Sequence, residues 1–414
     1  MAKKLFAVLE DLKIEDSAVY GDTPYGEGID DAIEDASTEL NERIIDIDDL
    51  NDQVDEADNA VDTINAVGDI LEQSENPSTE ALKVAQICVE RLCAKLDMKD
   101  SKISLEGYNK NTALESISET AKKIIDAIKK ALAFMWQKLK DFFNFIRTKV
   151  IGLFKNKQKA AEIKIKTYEK DVNEKEVFSF KDFAIYNAFY DGSADSYRKT
   201  PTSFTIRDQM HNLLKDFQKA IILKGKYETY VRELTEISKD INSYSKNQLK
   251  TKCSDIFKRI FAFSEFGDTL HFNSIPYQSK IVEHEDGTIK LKGVFSNPID
   301  KRGEIVWSGN PDTLNTIVNT CSDLNEELNK IPGNIDSIQK SSSSFINSIN
   351  RILDNIDNSE VIDKYRLLLR EFEKTTKFVL TLNKDMAGLV IKSVQQAYRY
   401  IDLSVKGYID STKE

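Results

Sequence analysis

Eight basic side chains between residues 122 and 149 are the strongest candidates for chemistry in this sequence. They are Lys122, Lys123, Lys129, Lys130, Lys138, Lys140, Arg147 and Lys149. Clustered lysines can neutralise the phosphates of double-stranded DNA without reading its sequence. The same basic face could lie on an anionic membrane. It could also be only the solvated outer face of a helix that packs by its apolar side.

No catalytic or metal-binding pattern accompanies these basic residues. The sequence has no phosphate-binding glycine loop, and its three histidines do not form a helical metal pair. Cys88 and Cys93 do not have a usual zinc spacing. Asp46, Asp48 and Asp52 resemble part of a calcium loop, but the glycine and glutamate that such a loop requires are replaced. We therefore expect no enzyme activity, no cofactor and no bound metal.

The element that must position the basic residues is a long amphipathic helix, predicted from Thr112 to Phe154. At 100° per residue its apolar side chains fall in one stripe about 120° wide, and all eight basic residues lie outside it. The stripe comprises Leu114, Ile117, Ala121, Ile124, Ile125, Ile128, Leu132, Met135, Trp136, Leu139, Phe142, Phe143, Ile146 and Val150. Phe134 and Phe145 fall on the opposite side, which suggests a second packing partner.

Charge divides the chain into three regions. Residues 1–106 hold 28 acidic and 9 basic side chains, a net charge of −19. Residues 107–160 hold 12 basic and 4 acidic side chains, and residues 161–414 are balanced. We therefore expect an acidic N-terminal helical segment, a basic amphipathic helix and a separate body, made for different electrostatic surroundings.

The fold class predicted for the whole chain is mainly α, because it has only 7 prolines, 16 glycines and long helical periodicities. In the acidic region, helices are expected over Ile33–Leu71 and Glu80–Met98, separated near Pro77 and packed as a hairpin. In the body, helices are expected over Ile206–Ile237, Lys246–Phe263, Asp312–Lys330, Ile335–Leu353, Ser359–Leu382 and Lys384–Ile409. Pro332-Gly333 and residues 355–358 are expected to separate helices.

A small antiparallel β insertion is predicted near residues 270–307 of the body. Its strands are expected at Leu270–Ile275, Lys280–His284, Thr288–Phe295 and Glu304–Trp307, with Asp286-Gly287 as a hairpin turn. Asn310-Pro311 is a strong helix start, with an N-cap followed by proline at the first helical position.

The sequence shows no clear signal for a membrane or for secretion. No run of 18 or more apolar residues predicts a transmembrane helix. The N-terminus does not resemble a secretory signal. Four scattered cysteines do not suggest a disulfide framework, so we expect synthesis in a reducing cytoplasm.

Four segments carry a family resemblance, and they are residues 84–96, 103–107, 113–117 and 136–143. Together they resemble the internal head (prohead core) proteins of large tailed bacteriophages, and the resemblance covers roughly residues 80–155. The resemblance implies an acidic N-terminal propeptide that directs the protein into the prohead core. It also implies removal of that propeptide by the maturation protease, which cuts after Glu in small-x-Glu sequences. The implied cleavage residues are Ser104, Leu105, Glu106 and Gly107, and Ala113, Leu114, Glu115 and Ser116.

The expectation is therefore a non-enzymatic internal head protein, trimmed during head maturation and kept with packaged DNA inside the virion. Its expected partners are the maturation protease, double-stranded DNA and other head or core proteins. Trimming after Glu106 would change the net charge from −11 to +8. One alternative is a membrane-active or ejected virion protein that uses Leu114–Phe154 as an interfacial helix. Another is a helical scaffold whose acidic arm serves only for solubility or docking.

Overall fold

Long amphipathic helices dominate the computed structural model, and this confirms the predicted fold class. The structure describes residues 28–74, 77–95, 110–168, 179–189, 202–221, 223–261, 269–271, 277–283, 289–295, 305–356 and 359–411. Apolar side chains from helices throughout this part of the chain form one contiguous core.

Four long α-helices lie in the described residues up to 168. They are α1 (Ile29–Gln73), α2 (Thr79–Lys95), α3 (Lys110–Phe145) and α4 (Ile151–Tyr168). A π-helical turn, Ile146–Val150, joins α3 to α4, so residues 110–168 form one continuous helical element. The predicted basic helix is therefore present, and it extends beyond Phe154.

Helix α1 depends on packing more than on intrinsic propensity. Its 45 residues include 11 aspartates, which are weak helix formers, and its 16 acidic side chains face a single arginine. Like charges along one helix repel each other, so burial must stabilise the helix. The buried stripe is Ile33, Ala36, Leu40, Ile47, Val54, Val61, Ile64 and Leu71. Most of the helix packs against α3 rather than against α2, the partner that the sequence suggested.

The body contains six further α-helices in the described residues. They are α5 (Phe183–Phe189), α6 (Ser203–Ile221), α7 (Leu223–Lys239), α8 (Lys246–Phe261), α9 (Pro311–Leu353) and α10 (Ser359–Ser411). A short 3₁₀ turn, Ile241–Ser243, lies between α7 and α8. Helix α10 is central, since it contacts α1 and every helix from α3 to α9.

Two predicted helix breaks are wrong. Pro332 lies inside α9, which continues through it. Proline removes one backbone hydrogen bond, but its neighbours Leu328, Ile331 and Ile335 are all 1% exposed, and their burial holds the helix together. Helix α10 likewise continues through Asn383, whose buried amide donates to the carbonyl of its own helix at Val379.

One predicted helix start and one break are confirmed. The Asn310 side chain accepts a hydrogen bond from the Thr313 backbone N–H at 2.9 Å, and Pro311 occupies the first turn of α9. The chain leaves α9 after Leu353 and enters α10 at Ser359. The predicted helix over 206–237 is instead two helices, α6 and α7.

The described residues include five short strands in two antiparallel sheets. They are β1 (Ser179–Lys181), β2 (Thr269–His271), β3 (Tyr277–Glu283), β4 (Ile289–Phe295) and β5 (Ile305–Trp307). Strands β2, β3 and β4 form the predicted insertion, and the β3–β4 register runs from Tyr277↔Phe295 to Glu283↔Ile289. The predicted turn at Asp286-Gly287 lies outside the described residues.

Strand β5 is not part of that insertion, contrary to the sequence interpretation. It pairs with β1 instead, with Ser179 opposite Trp307. A three-residue strand has too little pattern to reveal a partner so far away in the chain, and β1 itself was not predicted.

Candidate functional site

Helices α1 and α3 face each other with opposite charges. Three contacts along the pair are Lys149 Nζ to Glu39 Oε2 at 3.1 Å, Lys138 Nζ to Asp46 Oδ2 at 2.8 Å, and Lys110 Nζ to the Ser74 carbonyl at 2.6 Å. Residue numbers rise along α1 as they fall along α3 and the π turn, so the two elements are antiparallel. We call Lys149–Glu39 and Lys138–Asp46 the rim pairs, because all four side chains are at least one-third exposed.

The predicted second partner of the basic helix is α1. Phe145, expected on the wet face, is only 9% exposed because the Arg43 guanidinium lies 4.7 Å from its ring centroid and Lys149 lies 5.4 Å away. Phe134 remains 52% exposed, with Lys138 Nζ 5.6 Å from its ring. Cation–π contact therefore adds to the rim pairs at one end of the interface.

Glu39 is the most strongly coordinated carboxylate of the rim. Burial alone would raise the pKa of Glu39, but hydrogen bonds from Arg43 and Lys149, together with their charges, hold that pKa below its ordinary value of 4.5. The Arg43 guanidinium donates to this carboxylate at 2.7 Å. Glu39 is therefore ionised at neutral pH and stabilises the packing of α1.

A second kind of contact lies beneath α1. Lys157 of α4 is 2% exposed and pairs with both Asp30 of α1 and Asp402 of α10. Asp402 also accepts from Lys164 at 2.8 Å. Burial would lower the pKa of Lys157, but the charges and hydrogen bonds of Asp402 and Asp30 outweigh burial and raise it. Lys157 is therefore charged at neutral pH and depends on both helices for its counter-charge.

Lys384 of α10 is buried in the same way. Its side chain is fully buried and pairs with Asp48 of α1 and with Asp385, whose carboxylate lies 3.1 Å away. Close by, Lys377 Nζ donates to the Asn51 carbonyl at 2.6 Å. We call Lys157 and Lys384 the floor lysines. A buried charge without a partner is strongly unfavourable. Helix α1 supplies one of the two carboxylates that each floor lysine contacts, and α10 supplies the other, so these lysines join α1 to the body.

Sequence reasoning missed the floor lysines, although a signal was present. Lys157 follows Phe154 and precedes Ala161 at spacings of three and four residues, so it occupies a position of the buried stripe. Lys384 likewise follows the buried Leu380 by four residues and precedes the buried Ala387 by three. A lysine at a stripe position predicts either a break in the core or a buried ion pair.

The structure positions the second predicted cleavage sequence inside α3. Ala113 is 3% exposed, Leu114 is half-buried and Glu115 is exposed, while Ser116 continues the helix. The first sequence, Ser104-Leu105-Glu106-Gly107, lies outside the described residues. It falls between the end of α2 and the start of α3 in the chain.

The predicted DNA-contact residues divide into several environments. Lys138 and Lys149 form the rim pairs, and Lys140 Nζ lies 3.6 Å from Asp336 of α9. Arg147 is exposed and donates to Asn144 at 3.4 Å, and Lys123 is exposed. The backbone of Lys122, Lys129 and Lys130 is in α3, while their side chains lie outside the description. The eight residues are thus not one open surface, because α1 covers part of it.

Other kinds of site are not found in the described residues. Within that part of the chain, no group of three or more His, Cys, Asp or Glu side chains is arranged to hold a metal ion. Among the same residues, no helix combines the length and apolar character needed to cross a membrane. Burial raises the pKa of the Cys253 thiol to about 12, so this cysteine is unreactive at neutral pH.

Residues 31–197 match the family model of phiKZ-like phage internal head proteins. The matched region covers about two-fifths of the chain and includes α1 to α5, so it contains both helices of the charged interface. The resemblance proposed for residues 80–155 is confirmed over this wider range, and it supports a structural role inside the phage head. No curated protein and no solved structure matched the chain in these comparisons.

Proposed function

We propose that this internal head protein is made as a precursor whose acidic segment, residues 1–106, is a removable propeptide. The remaining residues, 107–414, stay in the head with packaged DNA. The observation that carries the proposal is the interface between α1 and the basic element of residues 110–168. Carboxylates of α1 neutralise lysines there that would otherwise be free to meet phosphate.

The charge balance supports this order of events. Residues 1–106 carry a net charge of −19 and residues 107–414 a net charge of +8. A precursor with part of its basic surface covered and a negative net charge would bind nucleic acid less readily, and a trimmed chain would suit a cavity filled with polyanion. Packaged double-stranded DNA, the maturation protease and other head or core proteins are the proposed partners.

The position of the two cleavage sequences favours Glu106 as the first cut. A cut after Glu106 severs the α1–α2 segment from α3 without interrupting any described helix. A cut after Glu115 lies within α3, whose first turns would have to open before a protease could bind them. Trimming at Glu115 would therefore follow the first cut.

The test is the N-terminus of the protein in mature particles. We expect it to be Gly107, with Ser116 as a second species, and it can be read by N-terminal sequencing or mass spectrometry. The small-x-Glu pattern also occurs at residues 32–34, 37–39, 78–80 and 160–162, inside or at the start of helices. A mature chain that begins at Met1, Leu40 or Ala81 would contradict trimming at the charge boundary.

Variants of the precursor sharpen the test. Glu106→Gln together with Glu115→Gln should abolish both cuts, because the protease is expected to read the carboxylate. Glu119→Gln is the matched control, since it removes a nearby glutamate of α3 that is preceded by Ile117-Ser118 rather than by a small-x pair. Loss of trimming in the control would show that the glutamates matter for folding rather than for recognition.

The packing of α3 weighs against the membrane alternative. An interfacial helix must present its apolar stripe to lipid, whereas Leu139 and Phe143 are 0% and 2% exposed. Trp136 is half-buried and can report on the stripe once Trp307 is replaced by phenylalanine. We expect Trp136 fluorescence to be blue-shifted in buffer and unchanged by anionic liposomes. A marked blue shift on adding liposomes would favour the membrane alternative.

A further inference from the structure

Helix α1 lies in a trough whose walls and floor come from the rest of the chain. Its apolar stripe packs against α3, α4 and α10, and Ile44 Cδ1 would lie only 3.1 Å from a β-carbon built on Gly388. The absence of a side chain at Gly388 lets the two helices approach closely. The trough therefore fits one amphipathic helix along its length.

The floor lysines recognise two carboxylates at a defined spacing. Asp30 pairs with Lys157 and Asp48 pairs with Lys384. Eighteen residues separate the two aspartates, which is five turns of an α-helix, or about 27 Å. Both carboxylates therefore project from the same side of α1, at the separation that the two lysines require.

Position, rather than acidity, distinguishes these two aspartates. Each is followed directly by a second aspartate, Asp31 or Asp49, and all four aspartates are exposed, so exposure does not separate them. Neither of these neighbours forms an ion pair within the part of the chain that the structure describes. The trough thus selects a helix by the placement of its charges as well as by its apolar stripe.

From this geometry we infer that the trough is a binding site for an acidic amphipathic helix, and that α1 stays bound in it after the chain is cut at Glu106. The inference rests on the proposed function and extends it. A cut between α2 and α3 removes none of the described contacts of α1. The change of net charge from −11 to +8 therefore needs a second event, the dislodging of α1.

Two properties of the interface support retention. Both side chains of each rim pair are at least one-third exposed, so these pairs weaken in salt. The floor lysines and the apolar stripe are buried, although the Asp30 and Asp48 side chains are 62% and 51% exposed. Released α1 would also lose its helix, since its aspartate-rich sequence cannot hold one without packing. DNA can therefore compete with α1 at the rim but not at the floor.

The experiment uses the full chain with a recognition sequence for a site-specific protease inserted between residues 96 and 109. The purified protein is cut and passed through a size-exclusion column at about 0.15 M and about 1 M salt, the range over which surface charges become screened. We expect the two fragments to co-elute under both conditions. Separation at the lower salt would overturn the inference, and separation only at 1 M would show that the rim pairs alone hold α1.

Two matched variants test the floor pairs. Asp30→Asn with Asp48→Asn removes the carboxylates that meet the floor lysines, and Asp31→Asn with Asp49→Asn makes the same charge change in solvent. Exchange of bound α1 for a labelled peptide of residues 28–74 should be at least about tenfold faster in the first variant, because it removes the α1 carboxylate from each buried lysine and such a loss acts on dissociation. Equal exchange rates in the two variants would overturn the role of the floor lysines.

This outcome can be separated from that of the proposed function. The cut is made in vitro and does not need the phage protease. If particles contain only the uncut chain, trimming is wrong, yet retention of α1 in the engineered protein can still be observed. If particles contain Gly107 termini and the N-terminal fragment of the engineered protein dissociates freely after the cut, only the inference that α1 is retained is wrong. Circular dichroism of each uncut variant shows whether it has folded.

Discussion

Two pairs of long antiparallel helices in this molecule are packed by similar apolar stripes but differ sharply in charge. Helix α1 has 16 acidic side chains and one arginine, and it faces an element, residues 110–168, with 14 basic and 5 acidic side chains. Helix α9 has 5 acidic and 3 basic side chains, and α10 has 7 acidic and 9 basic. The first pair is joined by opposite net charges, the second by two nearly neutral helices.

The comparison shows that apolar burial stabilises both pairs. Charge makes only the α1–α3 pair sensitive to salt and pH. Leu139 of α3 and Leu324 of α9 are both 0% exposed, so each pair contains a fully buried leucine. Salt, pH and proteolysis should therefore alter the α1 interface while leaving α9 and α10 in place.

The largest effect is expected in DNA binding. Protein that begins at Gly107 and has been freed of residues 1–106 should bind duplex DNA of any sequence more tightly than the precursor. If its eight predicted contact residues each meet a phosphate, affinity should fall by about 10³-fold or more between 50 and 200 mM salt. Fluorescence anisotropy with a labelled random duplex measures this. A DNA affinity independent of salt would contradict the claim that the basic side chains bind DNA through its phosphates.

Because apolar burial stabilises both pairs of helices, truncating a buried leucine should cost similar stability in each pair. Leu139→Ala and Leu324→Ala should each lower the free energy of unfolding by about 2–5 kcal/mol, because each leaves a cavity at a fully buried position. Denaturant titration of both variants provides the measurement. A cost below about 1 kcal/mol for Leu139→Ala alone would mean that α3 is not packed as described.

A smaller loss of stability is expected when the N-cap of α9, in the nearly neutral α9–α10 pair, is removed. Asn310→Ala removes the side chain that accepts from the Thr313 N–H, and it should cost about 1 kcal/mol of stability. The cap is uncharged, so the loss should be the same at low and high salt. A loss that disappears at 1 M salt would show that the stability of α9 also depends on charge.

The smallest effect belongs to the rim of the charged pair. Glu39→Gln should lower stability at pH 7 by up to about 1 kcal/mol, because both partners are partly exposed. The folded pKa of Glu39 is lowered, so its contribution is present above the ordinary value of 4.5 and disappears as pH falls through the folded pKa. Thermal unfolding at neutral and acidic pH should therefore show the two proteins converging in acid. A constant difference across pH would contradict the assignment.

Much of this architecture can be read from the sequence. The three- and four-residue spacing of Leu139, Phe142 and Phe143 correctly predicted the buried side of α3. Asn310-Pro311 correctly predicted where α9 begins, because an N-cap and a first-turn proline act locally. The resemblance to internal head proteins also came from the sequence, and the family match extends it to residues 31–197.

Features that depend on distant partners could not be read in the same way. Pro332 looked like a break because its local effect is unfavourable, while the burial of Ile331 and Ile335 that outweighs it comes from other helices. The pairing of β5 with β1 joins segments about 130 residues apart, and no local pattern specifies it.

The sequence alone determined that this chain is helical, that its charge divides near residue 106, and that a basic helix follows an acidic one. Periodicity and composition are local properties, so they can be counted without a fold. Only the tertiary structure decided that α1 lies on the basic helix and that its Asp30 and Asp48 meet the buried Lys157 and Lys384. These contacts join residues more than 100 positions apart, and a buried lysine finds its carboxylate partner only when packing brings distant helices together.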